Sequence, residues 1–134
     1  MSKYDVNKFK QVTVALNTPF QPDGSVDLKA VRAVVNYFYN KGIRQMYVCG
    51  STGEGFLLDT QERMAVTETV VEEAAGRMNI IVHVGCPDTR HSEELARHAE
   101  KAGANATSAV PCVYYRMGEE SVFQHWTKIT EAAD

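Results

Sequence analysis

Four short, apolar, β-branched runs, at residues 12–16, 46–49, 80–84 and 106–110, recur along the chain, and a segment of helical period follows each one. The runs are nearly continuously apolar rather than alternating, which is the pattern of strands buried on both faces in a parallel sheet. Their starts lie about 25 to 35 residues apart, the length of a strand–helix–strand crossover. No repeat, low-complexity tract or interdomain linker interrupts them, so the 134 residues read as one domain, 1–134, with enough chain to bury a core.

The helices carry local start and stop signals. Asp27 is placed to cap the first, Leu28, Val31, Val35 and Phe38 form its apolar stripe, and Gly42 offers the left-handed residue that ends it. Asp59 and Glu62, three apart, read as an acidic capping box for the second, with Gly76 as its stop. The third starts at Asp88 or Thr89, buries Leu95, Ala99 and Ala102, and stops at Gly103. In the fourth, Val122, Trp126 and Ile129 fall at i, i+4 and i+7.

Two architectures accept this order: a doubly wound open sheet, or part of a (β/α)8 barrel. An open nucleotide-binding sheet favours G-x-G-x-x-G or a P-loop after its first strand. Here the first strand runs into Asn17-Thr18-Pro19-Phe20, which matches neither. A full barrel takes about 250 residues. The expected fold is therefore α/β, a (β/α)4 half of a (β/α)8 TIM barrel, with four parallel strands alternating with four helices.

Composition narrows the partners. A net charge of −3 with both signs scattered gives no basic stripe for nucleic acid. No apolar run approaches a membrane span, and residues 1–10 lack a signal-peptide core. Three cysteines without C-x-x-C spacing fit free thiols in a reducing compartment, so a cytoplasmic location is expected. Cys49, Cys86 and Cys112 end successive strand runs, yet their spacing matches no zinc signature, and no H-E-x-x-H is present. No metal and no cofactor are expected. His83 falls within the third strand run, and His91 and His98 share a helix face that reads as solvated.

In either architecture chemistry sits where strands end and helices begin. The second such junction reads Gly50-Ser51-Thr52-Gly53-Glu54-Gly55. Glycines allow a tight turn with unobstructed N–H groups, and two hydroxyls add donors, a combination that can form a nest for a carboxylate or phosphate. Taken alone, the motif fits a plain glycine-rich turn equally well.

In context it is more specific. Ala15-Leu16-Asn17-Thr18-Pro19-Phe20, Tyr47-Val48-Cys49-Gly50-Ser51-Thr52-Gly53-Glu54, His83-Val84-Gly85-Cys86 and the segment from Ser108 through Tyr114-Tyr115 resemble the N-acetylneuraminate lyase family, within the dihydrodipicolinate synthase superfamily of pyruvate-linked class I aldolases. The resemblance runs over nearly the whole chain, from about Val12 to Asp134.

It implies a barrel in which a lysine forms a Schiff base with pyruvate and a strand-five tyrosine shuttles the proton. On this chain it implies that Ser51 and Thr52 grip the pyruvate, or other 2-oxo acid, carboxylate. It also implies that Tyr114 joins a hydroxyl relay across a dimer interface, while Tyr115 reads as interface packing. Asn105 and Cys112 depart from the family's usual Asp and Pro.

The resemblance places the expected strand-five tyrosine and strand-six lysine beyond Asp134. The seven lysines present (Lys3, Lys8, Lys10, Lys29, Lys41, Lys101 and Lys128) all lie before the first strand or on helices and their ends. A Schiff-base amine needs burial or a nearby cation to be neutral near pH 7. The chain alone is therefore expected to be catalytically incompetent.

Alternatives are half of a dihydrodipicolinate synthase or other pyruvate aldolase, and a non-catalytic self-associating scaffold. Two open sheet edges and an uncovered inward face point to a homo-oligomer, a dimer first and open-ended assemblies second.

Overall fold

A computed structural model of the chain describes residues 5–111 and 114–133. After a short 3-10 turn (Val6–Phe9), the order is β1 (Val14–Ala15), α1 (Leu28–Asn40), β2 (Gln45–Val48), α2 (Thr60–Ala74), β3 (Asn79–His83), α3 (Thr89–Ala102), β4 (Ala106–Ser108) and α4 (Glu119–Ala132). The strands form one parallel sheet in the order β1-β2-β3-β4, so α1, α2 and α3 are each a crossover between sheet neighbours. Among the described residues no helix is long and apolar enough to cross a membrane.

The caps form as their sequences direct. Asp27 accepts from the Ala30 N–H at 2.9 Å, Asp88 accepts from His91 at 3.1 Å, and Asp59 and Glu62 exchange hydrogen bonds at 2.8 and 2.9 Å. Gly103 ends α3 with φ 96°. At the end of α2 the left-handed residue is Ala75, φ 47°, one position before the expected Gly76, which follows with φ 71°. Gly118 caps α4 without a side-chain bond, leaving Glu119 and Glu120 to complement the helix dipole.

The helices lie in one layer, each against the next, and cover one face of the sheet. Met46, Val48, Ile80 and Val82 alternate toward that layer and are fully buried against Val31, Val35, Val66, Val70, Leu95, Ala99 and Ile129. The strands are thus not equally buried on both faces. The register aligns Ala15, Tyr47, Ile81 and Ala106 in one row on the opposite, inward face, with His83 and Ser108 beside each other above it. Ala15 is exposed and Tyr47, Ile81, Ala106 and Ser108 are half-buried, because no helix layer covers them. This face mixes hydroxyl, imidazole and small groups with its apolar ones.

Its lower end is closed by polar bonds. The fully buried Gln45 amide donates to the Phe9 carbonyl at 3.2 Å and to the Thr13 hydroxyl, and Asn79 donates to the Lys8 carbonyl at 2.9 Å. Asn105 has a structural task that an aspartate carboxylate could share: its Oδ1 accepts the Ile80 N–H at 2.8 Å, where β3 and β4 begin to pair.

Candidate functional site

The loop that follows β2, from Cys49 to Leu58, stands at the C-terminal end of the sheet. Cys49 leaves the strand in the left-handed region, φ 58°, and Glu54 adopts it again at φ 54°. Between them Glu54 N–H donates to Ser51 C=O and Gly55 N–H to Gly50 C=O, both at 3.1 Å. The turn is drawn so tightly that a Cβ on Gly55 would stand 1.9 Å from the Cys49 carbonyl oxygen. A Cβ on Gly50 would stand 2.5 Å from the Tyr47 ring. The buried Thr18 hydroxyl ties the loop to the end of β1, donating to the Gly53 carbonyl at 2.7 Å.

These constraints leave Ser51 and Thr52 exposed at the tip. Among the described residues, neither their hydroxyls nor their N–H groups donate to another protein group. Two hydroxyls and two amides therefore remain available on one turn, and an anionic oxygen pair could use them. Tyr114 lies elsewhere: it is 90% exposed, has φ 78°, and sets its ring edge-on to Tyr115 at 4.9 Å. It makes no hydrogen bond to Ser51 or Thr52 among the described residues.

Below the loop lies a group of side chains that local motif reading does not reveal. Tyr47 Oη and Ser108 Oγ are 3.0 Å apart, spanning β2 to β4 across β3. Between those strands the fully buried His83 ring packs near Tyr47 and edge-on to Phe56 at 5.4 Å. Arg63 reaches in from α2 although it is only 3% exposed. Its Nη1 donates to Gly85 C=O at 3.0 Å and its Nη2 to His83 C=O at 2.6 Å.

His83 Nε2 accepts the Val110 N–H at 3.3 Å, and Nδ1 lies 3.4 Å from Arg63 Nη2, whose shorter bond goes to the His83 carbonyl. Burial first, and the Arg63 charge second, push the imidazole down to about 4, so it is neutral at physiological pH. Burial pushes the Cys49 thiol up to about 11 and the Cys86 thiol upward as well, holding both as thiols rather than thiolates. Cys112 lies outside the described residues.

The remaining histidines are structural in their contacts. His98, read from the sequence as solvated, is half-buried against Glu68 of α2 at 2.9 Å, while His91 is exposed beside Asp88. Lys8, Lys10, Lys29, Lys41, Lys101 and Lys128 are all exposed, and none stands on the loop with Ser51 and Thr52. Lys3 lies outside the described residues.

A family model, the dihydrodipicolinate synthetase family, matches residues 8–134. The chain belongs to that family. It is 36% identical over 129 residues to the N-acetylneuraminate lyase of Mediterraneibacter gnavus, covering 96% of this chain and 41% of that protein. It is 41% identical over 120 residues to the 4-hydroxy-tetrahydrodipicolinate synthase of Chlorobaculum parvum, covering 90% and 40%. The wild-type sialic acid aldolase of Ruminococcus gnavus superposes with a TM-score of 0.91 at 36% identity, covering 94% of this chain and 42% of that one.

The chain thus spans about two fifths of the length of these members of the dihydrodipicolinate synthetase family, and its four strand–helix units form a half-barrel. Lyases and a synthase match it at similar identity, so the likeness establishes the family and leaves the reaction of a particular member apart.

Proposed function

We propose that the chain is the N-terminal half-barrel of an N-acetylneuraminate lyase-like, pyruvate Schiff-base aldolase, and that its part is to bind the carboxylate of pyruvate or a related 2-oxo acid. The observation that carries this reading is the turn at Ser51 and Thr52. It presents two hydroxyls and two N–H groups at the C-terminal end of a parallel strand, where barrel enzymes hold their substrates. Ser51 and Thr52 are the binding pair, and Tyr114 is the outlying member of a hydroxyl relay that a second copy would complete.

The chain does not itself catalyse the aldol step. Its described lysines are all exposed, and none stands on the loop with Ser51 and Thr52. Self-association through the β1 and β4 edges, first as a dimer, would cover the inward face. A monomer in sedimentation at micromolar concentration would remove that part of the proposal.

Titrating pyruvate while following the Ser51 and Thr52 amide signals by NMR tests the binding role. Saturable shifts that Ser51→Ala and Thr52→Ala weaken are expected. If no amide of the loop responds, the chain is a self-associating scaffold without a carboxylate site. Half of a synthase remains the second reading, favoured by the Chlorobaculum parvum relative. Both readings share the pyruvate carboxylate, and they separate on the aldehyde partner once a complementary half is supplied.

A further inference from the structure

We infer that Tyr47 and Ser108 are positioning residues, a strut across the inward face that fixes the height of the Ser51–Thr52 turn; the inference rests on the carboxylate-binding reading above. Three observations carry it. The Tyr47 ring occupies the space that a Cβ on Gly50 would need, 2.5 Å away, so the turn rests directly on that ring. The ring's free end is pinned by the 3.0 Å contact between Tyr47 Oη and Ser108 Oγ, which joins residues 61 apart in sequence. The anchoring strand is itself tied down, because the Val110 N–H, two residues beyond Ser108, donates to His83 Nε2 at 3.3 Å.

Neither hydroxyl needs to touch a ligand for this role. An aromatic ring rotates and tilts about two torsions, and a hydrogen bond at its tip removes most of that freedom. With the tip pinned, Gly50 and the two residues after it are supported from beneath. With the tip loose, the ring can tilt and the turn can follow it. The carboxylate donors would then be correctly typed but loosely placed, and affinity depends on their being preorganised.

Four variants test the strut: Tyr47→Phe, Ser108→Ala, the two combined, and Ser108→Thr, which keeps a hydroxyl. Tyr47→Phe leaves the ring beneath Gly50, so the fold is retained while the pin is lost. Pyruvate affinity, read from the amide shifts of the turn, should fall about fivefold in either single variant. The double variant should fall about fivefold again relative to wild type rather than by the product, since both changes remove one bond. Ser108→Thr should restore wild-type binding.

Wild-type affinity in both single variants, or losses that multiply, would overturn the inference. If the wild-type chain shows no saturable response to pyruvate, the carboxylate reading fails by itself. The strut is then judged on the ligand-free chain. Faster hydrogen exchange at the Ser51 and Thr52 amides in both single variants supports it, and unchanged exchange overturns it.

Discussion

Acidifying the protein from about pH 7 to about pH 4 should remove a sizeable share of its stability through one buried side chain, His83. The imidazole titrates near 6.5 when free and is pushed down to about 4 in the fold, first by burial and then by the Arg63 guanidinium. As pH falls below 6.5 the unfolded chain takes up a proton that the folded chain refuses, so stability drops with falling pH until the folded value is reached. Below that point both states carry the proton and this contribution is gone. The gap corresponds to roughly 3 kcal/mol, against a total of about 5–15 kcal/mol for an ordinary domain.

The assay is urea unfolding at a series of pH values, paired with NMR titration of the His83 ring. The midpoint should fall through the window between about pH 6.5 and 4, while His83→Gln should show a much flatter profile there. His83 is 2% exposed but faces the side of the sheet that no helix layer covers, so roughly 3 kcal/mol is an upper bound. A His83 ring that titrates near 6.5, or a His83→Gln variant with the full wild-type pH dependence, would refute the reasoning.

Other expectations follow from single contacts. Gly55→Ala must push the β2–α2 loop away from the Cys49 carbonyl, 1.9 Å from the new Cβ, and should abolish loop-centred pyruvate shifts in NMR even if helical circular dichroism persists. Arg63→Lys removes the planar fork that serves the Gly85 and His83 carbonyls together. About 3 kcal/mol should be lost in chemical denaturation, because buried acceptors are left without donors.

Asp88→Ala removes the cap of α3, and thermal melts should report a loss of about 1 kcal/mol. The His91 hydrogen bond holds the Asp88 carboxyl below the usual carboxylate range. The Asp88 contribution should therefore be fully present above about pH 4 and decay as pH falls through its lower folded value.

What could be read from the sequence was local or periodic. Asp27, the Asp59–Glu62 pair, Asp88 and Gly103 act within a few residues of themselves, so spacing alone identified the helix ends. The order of runs was enough for the parallel sheet, although the paired part of the first run shrinks to Val14–Ala15, since pairing needs a neighbour in register.

The fourth helix shows the limit. The stripe Val122, Trp126 and Ile129 was expected inside, yet Trp126 is 40% exposed and His125 is buried with its Nδ1 2.9 Å from the Thr89 hydroxyl. Among the described elements α4 has a helical neighbour on one side only, α3, so a narrow face centred on His125 and Ile129 is covered.

The same distinction divides the site. The tight turn that exposes Ser51 and Thr52 was legible because glycines and hydroxyls crowd into six residues. Tyr47, His83, Ser108 and Arg63 were not assigned roles, since their contacts join residues 20 to 61 positions apart. A charged Arg63 in the first turns of a helix gives no local sign that it will be buried. The strand parity of Tyr47, His83 and Ser108 could have placed all three on the inward face, had the register been known.

The central claim is that this chain holds the carboxylate site of a pyruvate aldolase without an amine able to form the Schiff base. Incubation with pyruvate, reduction with borohydride and measurement of the intact mass address it directly. An unchanged mass is expected. A stoichiometric adduct mapped to one lysine would contradict the account, because an amine of this chain would then have been activated.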